Sequence, residues 1–229
     1  MSTAWETIET QAMTYIKNDI SLAWDMSNRL PVFYNRMLSY MREAVPLFNR
    51  PAEMLVRLSR NTPPEFTDGE YTAERSASGT VQIDTGVMGY DIVSVGVVEN
   101  DAYGDPTYVP YKASYDSETG IVTMKGNIST GMKFTIDFYK SGWFEDDLNS
   151  TEISILAFAI YYVWELRFGN DAIERKSKIR DGSFTTISEA SQTNANTSRQ
   201  RHVGQQLYGM MREYETNIAY LKTVNHYTL

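Results

Sequence analysis

Carboxylates supply most of the side chains in this sequence that could do chemistry. They fall close together at Asp101 and Asp105, at Asp116 and Glu118, and in the run Glu145-Asp146-Asp147. Two carboxyls facing each other across a sugar, one with a raised pKa, can hydrolyse a glycosidic bond. Here the pairs sit in turn-like surroundings, where Asp is favoured because it hydrogen-bonds its own backbone, so the turn reading is the stronger one. Asp101 to Asp105 could offer oxygens to calcium, but the twelve-residue loop ending in Glu is absent. With no Cys there is no thiolate ligand, thiol nucleophile or disulfide. His202 and His226 are the only histidines, too few for a multi-His metal centre. The Gly-rich phosphate loops and the G-x-S-x-G elbow do not occur. The reading is therefore of a protein that is not an enzyme, with no catalytic residues, no cofactor and no metal. The N-x-[ST] triplets at Asn127, Asn149 and Asn196 are read as chance, because nothing resembling a secretory leader accompanies them.

Binding chemistry is better represented. The segment Arg175-Lys176-Ser177-Lys178-Ile179-Arg180 is basic. It reads as a solvated helix face, a phosphate-meeting patch, or a surface that faces an acidic domain of a neighbouring copy. Tyr208, Tyr214, Tyr220 and Tyr227 punctuate the C-terminal region, and tyrosine is enriched where proteins dock. Together with Arg201 these are the interface candidates: Arg175, Lys176, Lys178, Arg180, Arg201, Tyr208, Tyr214, Tyr220 and Tyr227.

The chain has 229 residues and a formal net charge of −8. The imbalance is local. Residues 61–146 hold fourteen acidic and five basic side chains, while the flanking segments are at +1 and 0. An acidic balance argues against broad binding to nucleic acid or anionic membranes. The start, Met1-Ser2-Thr3-Ala4-Trp5-Glu6, does not read as a signal peptide, and the apolar stretch 153–164 is too short for a bilayer. The expectation is a protein made in a cytoplasm, with no membrane partner.

Periodicity divides the chain into three parts. Residues 1–62 read as N-terminal helices of a bundle. Trp5, Ile8, Ala12, Ile16, Leu22, Met26 and Leu30 follow one helical stripe, Pro31 opens a second helix, Pro46 stops it, and Pro51 starts a short third. Residues 63–147 read as an inserted acidic β-domain. Thr80–Asp84, Ile92–Val98, Ile121–Met124 and Lys133–Tyr139 are strand-like, with turns at 116–120 and 126–131. Residues 148–229 read as helices completing the bundle. Asn149-Ser150-Thr151-Glu152 has capping-box spacing, Ile153 to Ile160 is apolar almost all round, and Gly169 is a candidate stop. The Ser/Thr/Asn/Gln-rich run 183–201 lacks Pro and keeps helical spacing, so it reads as a polar helix. The fold class is α+β: a helical bundle with an inserted small antiparallel β-sandwich or barrel domain.

The stretch from Ile136 to Ala157 resembles a segment of tailed-bacteriophage head–tail adaptor (neck, or connector) proteins. There a last β-strand ends in an aromatic-Gly-Phe turn and leads into L-[ST]-x-E-x-x-I-L-A, which opens a long buried helix. Here the turn is Tyr139-Lys140-Ser141-Gly142-Trp143-Phe144, and the helix opening is Leu148 to Ala157. Trp164, the set Phe184, Ser188 and Ala190, and Tyr214 and Tyr220 also resemble the family pattern. The 190–201 stretch is more polar than the pattern, and Ala159, Ile160 and Tyr161 stand where Met is frequent. The resemblance implies a structural virion protein. It would form a homo-oligomeric ring, commonly of twelve, under the portal protein. It would extend a channel through which DNA passes without specific binding, and dock the tail or further neck proteins. A different expectation from the same residues is a β-sandwich recognising a carbohydrate or a receptor, with Tyr103, Tyr108, Tyr111 and Trp143 on one exposed face.

Overall fold

A computed structural model describes residues 2–16, 19–28, 30–73, 77–100, 106–178 and 189–226. It begins with β1 (Thr3–Ala4) and the helices α1 (Trp5–Tyr15), α2 (Ile20–Asn28) and α3 (Leu30–Ala44). The N-terminal stripe thus becomes two helices: α1 closes at Ile16, whose N–H bonds Ala12 O at 3.2 Å. Pro46 ends α3 through a 3-10 turn, Val45–Leu47, and α4 (Glu53–Ser59) follows Pro51. Strands β2 (Asn61–Thr62), β3 (Glu65–Thr72), β4 (Ala77–Asp84), β5 (Asp91–Asn100), β6 (Pro106–Pro110), β7 (Ala113–Asp116), β8 (Ile121–Ile128), β9 (Lys133–Lys140) and β10 (Trp143–Phe144) come next. Two long helices finish the chain, α5 (Ser150–Lys178) and α6 (Glu189–His226).

These elements form two compact units. The first comprises Met1–Asp19, Arg36–Thr62 and Trp143–Leu229; the second comprises Ile20–Asn35 and Pro63–Gly142. The sequence reading places all of residues 1–62 with the bundle, whereas Ile20–Asn35 groups with the strands. Aromatic stacking accounts for this: Tyr34 lies on Phe66 and Tyr139, ring centroids 5.3 and 5.0 Å apart. Thirteen acidic residues against six basic ones fall in the second unit, so it carries −7 of the net charge and the first carries −1.

In the first unit α5 is the central element. Its cap forms as the spacing predicts. The Asn149 side chain accepts the N–H groups of Thr151 and Glu152, each at 3.0 Å, and Glu152 accepts the N–H of Asn149 at 2.8 Å. Ile155, Leu156, Ala157, Ala159 and Ile160 are fully buried, as expected of a helix apolar on most sides. Gly169 does not end it. The helix runs through to Lys178, so residues 175–178 of the basic segment extend it. A helical glycine costs only about 1 kcal/mol, which a long packed helix overrides. From Glu189 the polar run is helical, and residues 183–188 lie outside the described ones. A small antiparallel sheet, β1-β10-β2, ties three distant parts of the chain together, and Trp5 stacks on Phe144 at 5.5 Å.

The second unit contains two antiparallel sheets, ordered β3-β9-β5-β6 and β4-β8-β7. They share one core of Ile83, Val95, Val97, Val122, Met124, Phe134, Ile136 and Phe138. Burial alternates along β8 and β9 as period two demands. The sheets stay separate, so the sandwich expectation holds and the barrel does not. The expected turn at 126–131 is shorter: Gly126 lies inside β8 opposite Gly79, at φ +151. The Tyr111 hydroxyl occupies the space a side chain would need there. The sequence reading also misses β3 and β6, whose residues are too polar or too short for an alternating signal.

Candidate functional site

Along α6, Val203, Leu207, Met211 and Tyr214 are buried at steps of four, four and three. They form the seam of the first unit, with Phe48 meeting Tyr214 edge-on at 5.8 Å. The neighbouring face, one position aside, leaves Arg201, Gln205 and Tyr208 exposed. Opposite it runs the chain after the 3-10 turn, bearing Asn49 and Arg50. Between them lies a groove of about 700 Å³. Leu47, Leu207 and Met211 give it an apolar floor, and Arg50, Arg201, Tyr162 and Tyr208 are also among its lining residues. The Arg50 guanidinium lies 4.9 Å from the centre of the Tyr208 ring and 3.6 Å from a Glu215 oxygen. Arg201 has no carboxylate partner among the described residues. Gly204 allows a close approach: a Cβ there would come within 3.2–3.3 Å of the Tyr162 ring, which would have to give by a few tenths of an ångström.

The groove lining contains neither a carboxylate nor a histidine. What the lining does offer is guanidinium and phenol groups beside apolar side chains, groups that can hydrogen-bond and pair with carboxylates.

A second polar assembly holds the unit together. Glu152 is 1% exposed. It accepts hydrogen bonds from the Arg57 guanidinium, the Tyr214 hydroxyl and the Asn149 N–H. Arg57 also reaches Asp146 through Nε at 3.1 Å, and Arg60 joins the same carboxylate at 2.9 Å. Thr3 donates to Asp146 O at 3.3 Å and accepts the Leu148 N–H at 2.8 Å. Burial and the Glu152 carboxylate push the Tyr214 hydroxyl up to about 12. Burial disfavours the Arg57 charge, but bonds to Glu152 and Asp146 outweigh it and hold the group above the usual guanidinium range. Every member has a partner, so this is a structural hub. Further along α5, Glu165, 4% exposed, accepts from Tyr161 at 3.1 Å and pairs with Arg199 of α6 at 2.5 Å.

The sequence candidates distribute as follows. Arg201 and Tyr208 line the groove. Tyr214 is buried in the hub, not displayed, and Tyr220 is exposed two turns beyond it. Arg175, Lys176 and Lys178 lie on the last turns of α5, but their side chains, like all of Arg180 and Tyr227, lie outside the described residues. Of the carboxylate pairs, Asp146 belongs to the hub. Asp116 serves its turn: the Thr119 side chain, then backbone amides of Glu118 and Thr119, hold its carboxyl below the usual range. Asp101 and Asp105 fall outside the described residues. Among the described residues no three His, Asp or Glu side chains converge to hold a metal ion, and no helix is long and apolar enough to cross a membrane. The four aromatics expected on one exposed face for a glycan binder are placed only in part. Tyr111 packs on the sandwich core and Trp143 belongs to the small sheet of the first unit. Tyr103 lies outside the described residues, as does the Tyr108 side chain. Sequence reasoning missed Arg50, Tyr162 and Gln205. The run Arg201, Gln205, Tyr208 follows one helical face at steps of four and three, and that spacing was the available signal.

The fold is a mixed α+β one, with a groove on its helical unit. No family model matches the chain, and no curated protein or solved structure matches it either.

Proposed function

We propose that this chain is a structural adaptor of a tailed-phage head–tail junction, assembling as a ring, expected of twelve copies, under the portal protein. In the virion it would extend the exit channel and give the tail or a further neck protein a place to dock, without catalysing a reaction. The observation that carries the reading is the strand-to-helix passage from β9 to α5. In the stretch that resembles the adaptor pattern, β9, the last strand of the sandwich, is followed by Gly142, by the short strand β10 with Phe144 buried, and by α5, opened by the reciprocal Asn149–Glu152 cap. Two further features support it. The groove offers recognition chemistry, and the −7 of the strand unit provides few counterion-releasing contacts for passing DNA. The test is mass measurement and negative-stain imaging of the purified protein, alone and with its cognate portal. The expected result is a ring on the portal, with no mobility shift of duplex DNA. Indifference to the portal would overturn the reading.

A further inference from the structure

The adaptor reading leaves open how one copy meets the next, and the chain carries both halves of a matching contact. The turn Asp116 to Gly120, between β7 and β8, is a tip of carboxylates. Asp116 and Glu118 are exposed, and the Glu118 carboxylate has no cationic partner among the described residues. Beside it runs the 85–90 loop, fastened to the tip by Gly89 N–H to Ser117 O at 2.9 Å, Thr85 N–H to Gly120 O at 3.0 Å, and Tyr115 hydroxyl to Val87 O at 2.5 Å. Gly86 and Gly89, both with φ near +70, throw Met88 outward, and it is 60% exposed. Asp84 borders the same loop and accepts the Gly86 N–H at 3.0 Å. The result is a knob: one flexible apolar side chain amid three carboxylates, with no basic residue in 84–90 or 113–120.

We propose that this knob seats in the α6 groove of a second copy of the chain. Met88 would meet the apolar floor of Leu47, Leu207 and Met211, where a thioether adapts well and favours aromatic neighbours such as Tyr162. Glu118 would pair with Arg201, the groove guanidinium that lacks a carboxylate. Arg50 is already shared between Glu215 and Tyr208. Because knob and groove are different surfaces, the contact is heterologous: each copy gives a knob and receives one, and such contacts propagate around a ring when the rotation closes. The net charges of −7 and −1 bear on the occupant. Two strand units repel, so a strand unit of one copy finds its favourable surface on the helical unit of another.

The inference rests on the ring reading, and its test separates the two. The natural chain has no Cys, so single cysteines report cleanly. Two variants of the full chain are made, Ser117→Cys at the knob and Gln205→Cys in the groove, both at exposed positions. Under mild oxidation, with the portal present, the mixture should give a covalent dimer on non-reducing gels while each variant alone stays monomeric. Adding Arg201→Glu to the groove variant should lower the yield at least about fivefold, and Glu118→Arg on the knob variant should restore it. No cross-link, or homodimers from either variant alone at the same yield, overturns the contact. A foreign acidic segment as the true occupant would show as rings that form normally without the cross-link. Cross-linking without portal binding would leave the contact standing and remove the adaptor reading.

Discussion

At the scale of single residues, the buried carboxyls among the described residues differ in what surrounds them. Glu9 of α1 is 5% exposed, and burial, with the nearby Glu6 charge, pushes its carboxyl from 4.5 up to about 8. A carboxyl raised in the folded state favours folding while protonated. Its contribution is fully present below pH 4.5 and is lost as pH rises toward 8. Glu9→Gln should therefore raise stability at pH 7 by up to a few kcal/mol, since each tenfold change in proton affinity corresponds to about 1.4 kcal/mol. The two melting curves should converge near pH 4, and thermal unfolding across pH 4–9 checks this. Glu152 is the buried carboxylate at the centre of the hub. Replacing it by Ala removes the acceptor of Arg57, Tyr214 and the Asn149 N–H together and should cost about 3–5 kcal/mol by urea unfolding, the scale for breaking a buried pair. Tyr214→Phe should cost about 1 kcal/mol, because only a single hydrogen bond is lost.

At the scale of elements, strong local signals were legible and weak ones were overridden. The capping spacing from Asn149 to Glu152 forms as read, because a cap depends on neighbours three residues apart. Asn149→Ala should lower stability by about 1 kcal/mol in the same unfolding assay. Gly169 misled for a physical reason: its helical penalty is small beside the packing of a 29-residue helix. β3 was invisible because Glu65-Phe66-Thr67-Asp68-Gly69-Glu70 lacks β-branched runs, and its pairing with β9 supplies the order instead. That pairing sets Asp68 directly across from Asp137, whose carboxyl is raised by burial and by Asp68 while the Ser94 hydroxyl opposes the shift. Asp68→Asn should stabilise the unit by a few tenths to about 1 kcal/mol, because like charges directly opposite repel. The groove was half legible. Arg201 and Tyr208 come from one helix face, whereas Arg50 and Tyr162 enter from elements that only tertiary packing brings near.

At the scale of the whole molecule, the charge and the order of segments both matter. The net −8 belongs almost wholly to one unit, so raising salt should leave each unit's stability little changed while weakening any contact between copies that relies on acidic and basic surfaces. Sedimentation of portal-bound assemblies from about 0.05 to 0.5 M salt measures this, with smaller species expected at the high end. The helical unit draws on three separated stretches of chain, the last being 143–229. Thr3 is fastened to Asp146 and Leu148. During synthesis the strand unit has all its residues once Gly142 leaves the ribosome, whereas α1, the end of α3 and α4 must wait for the remainder. At roughly 5–20 residues per second that wait is about 4–20 s. Through it, the apolar faces of α1 and α4 lack their final cover, while every residue of the acidic sandwich has already been made.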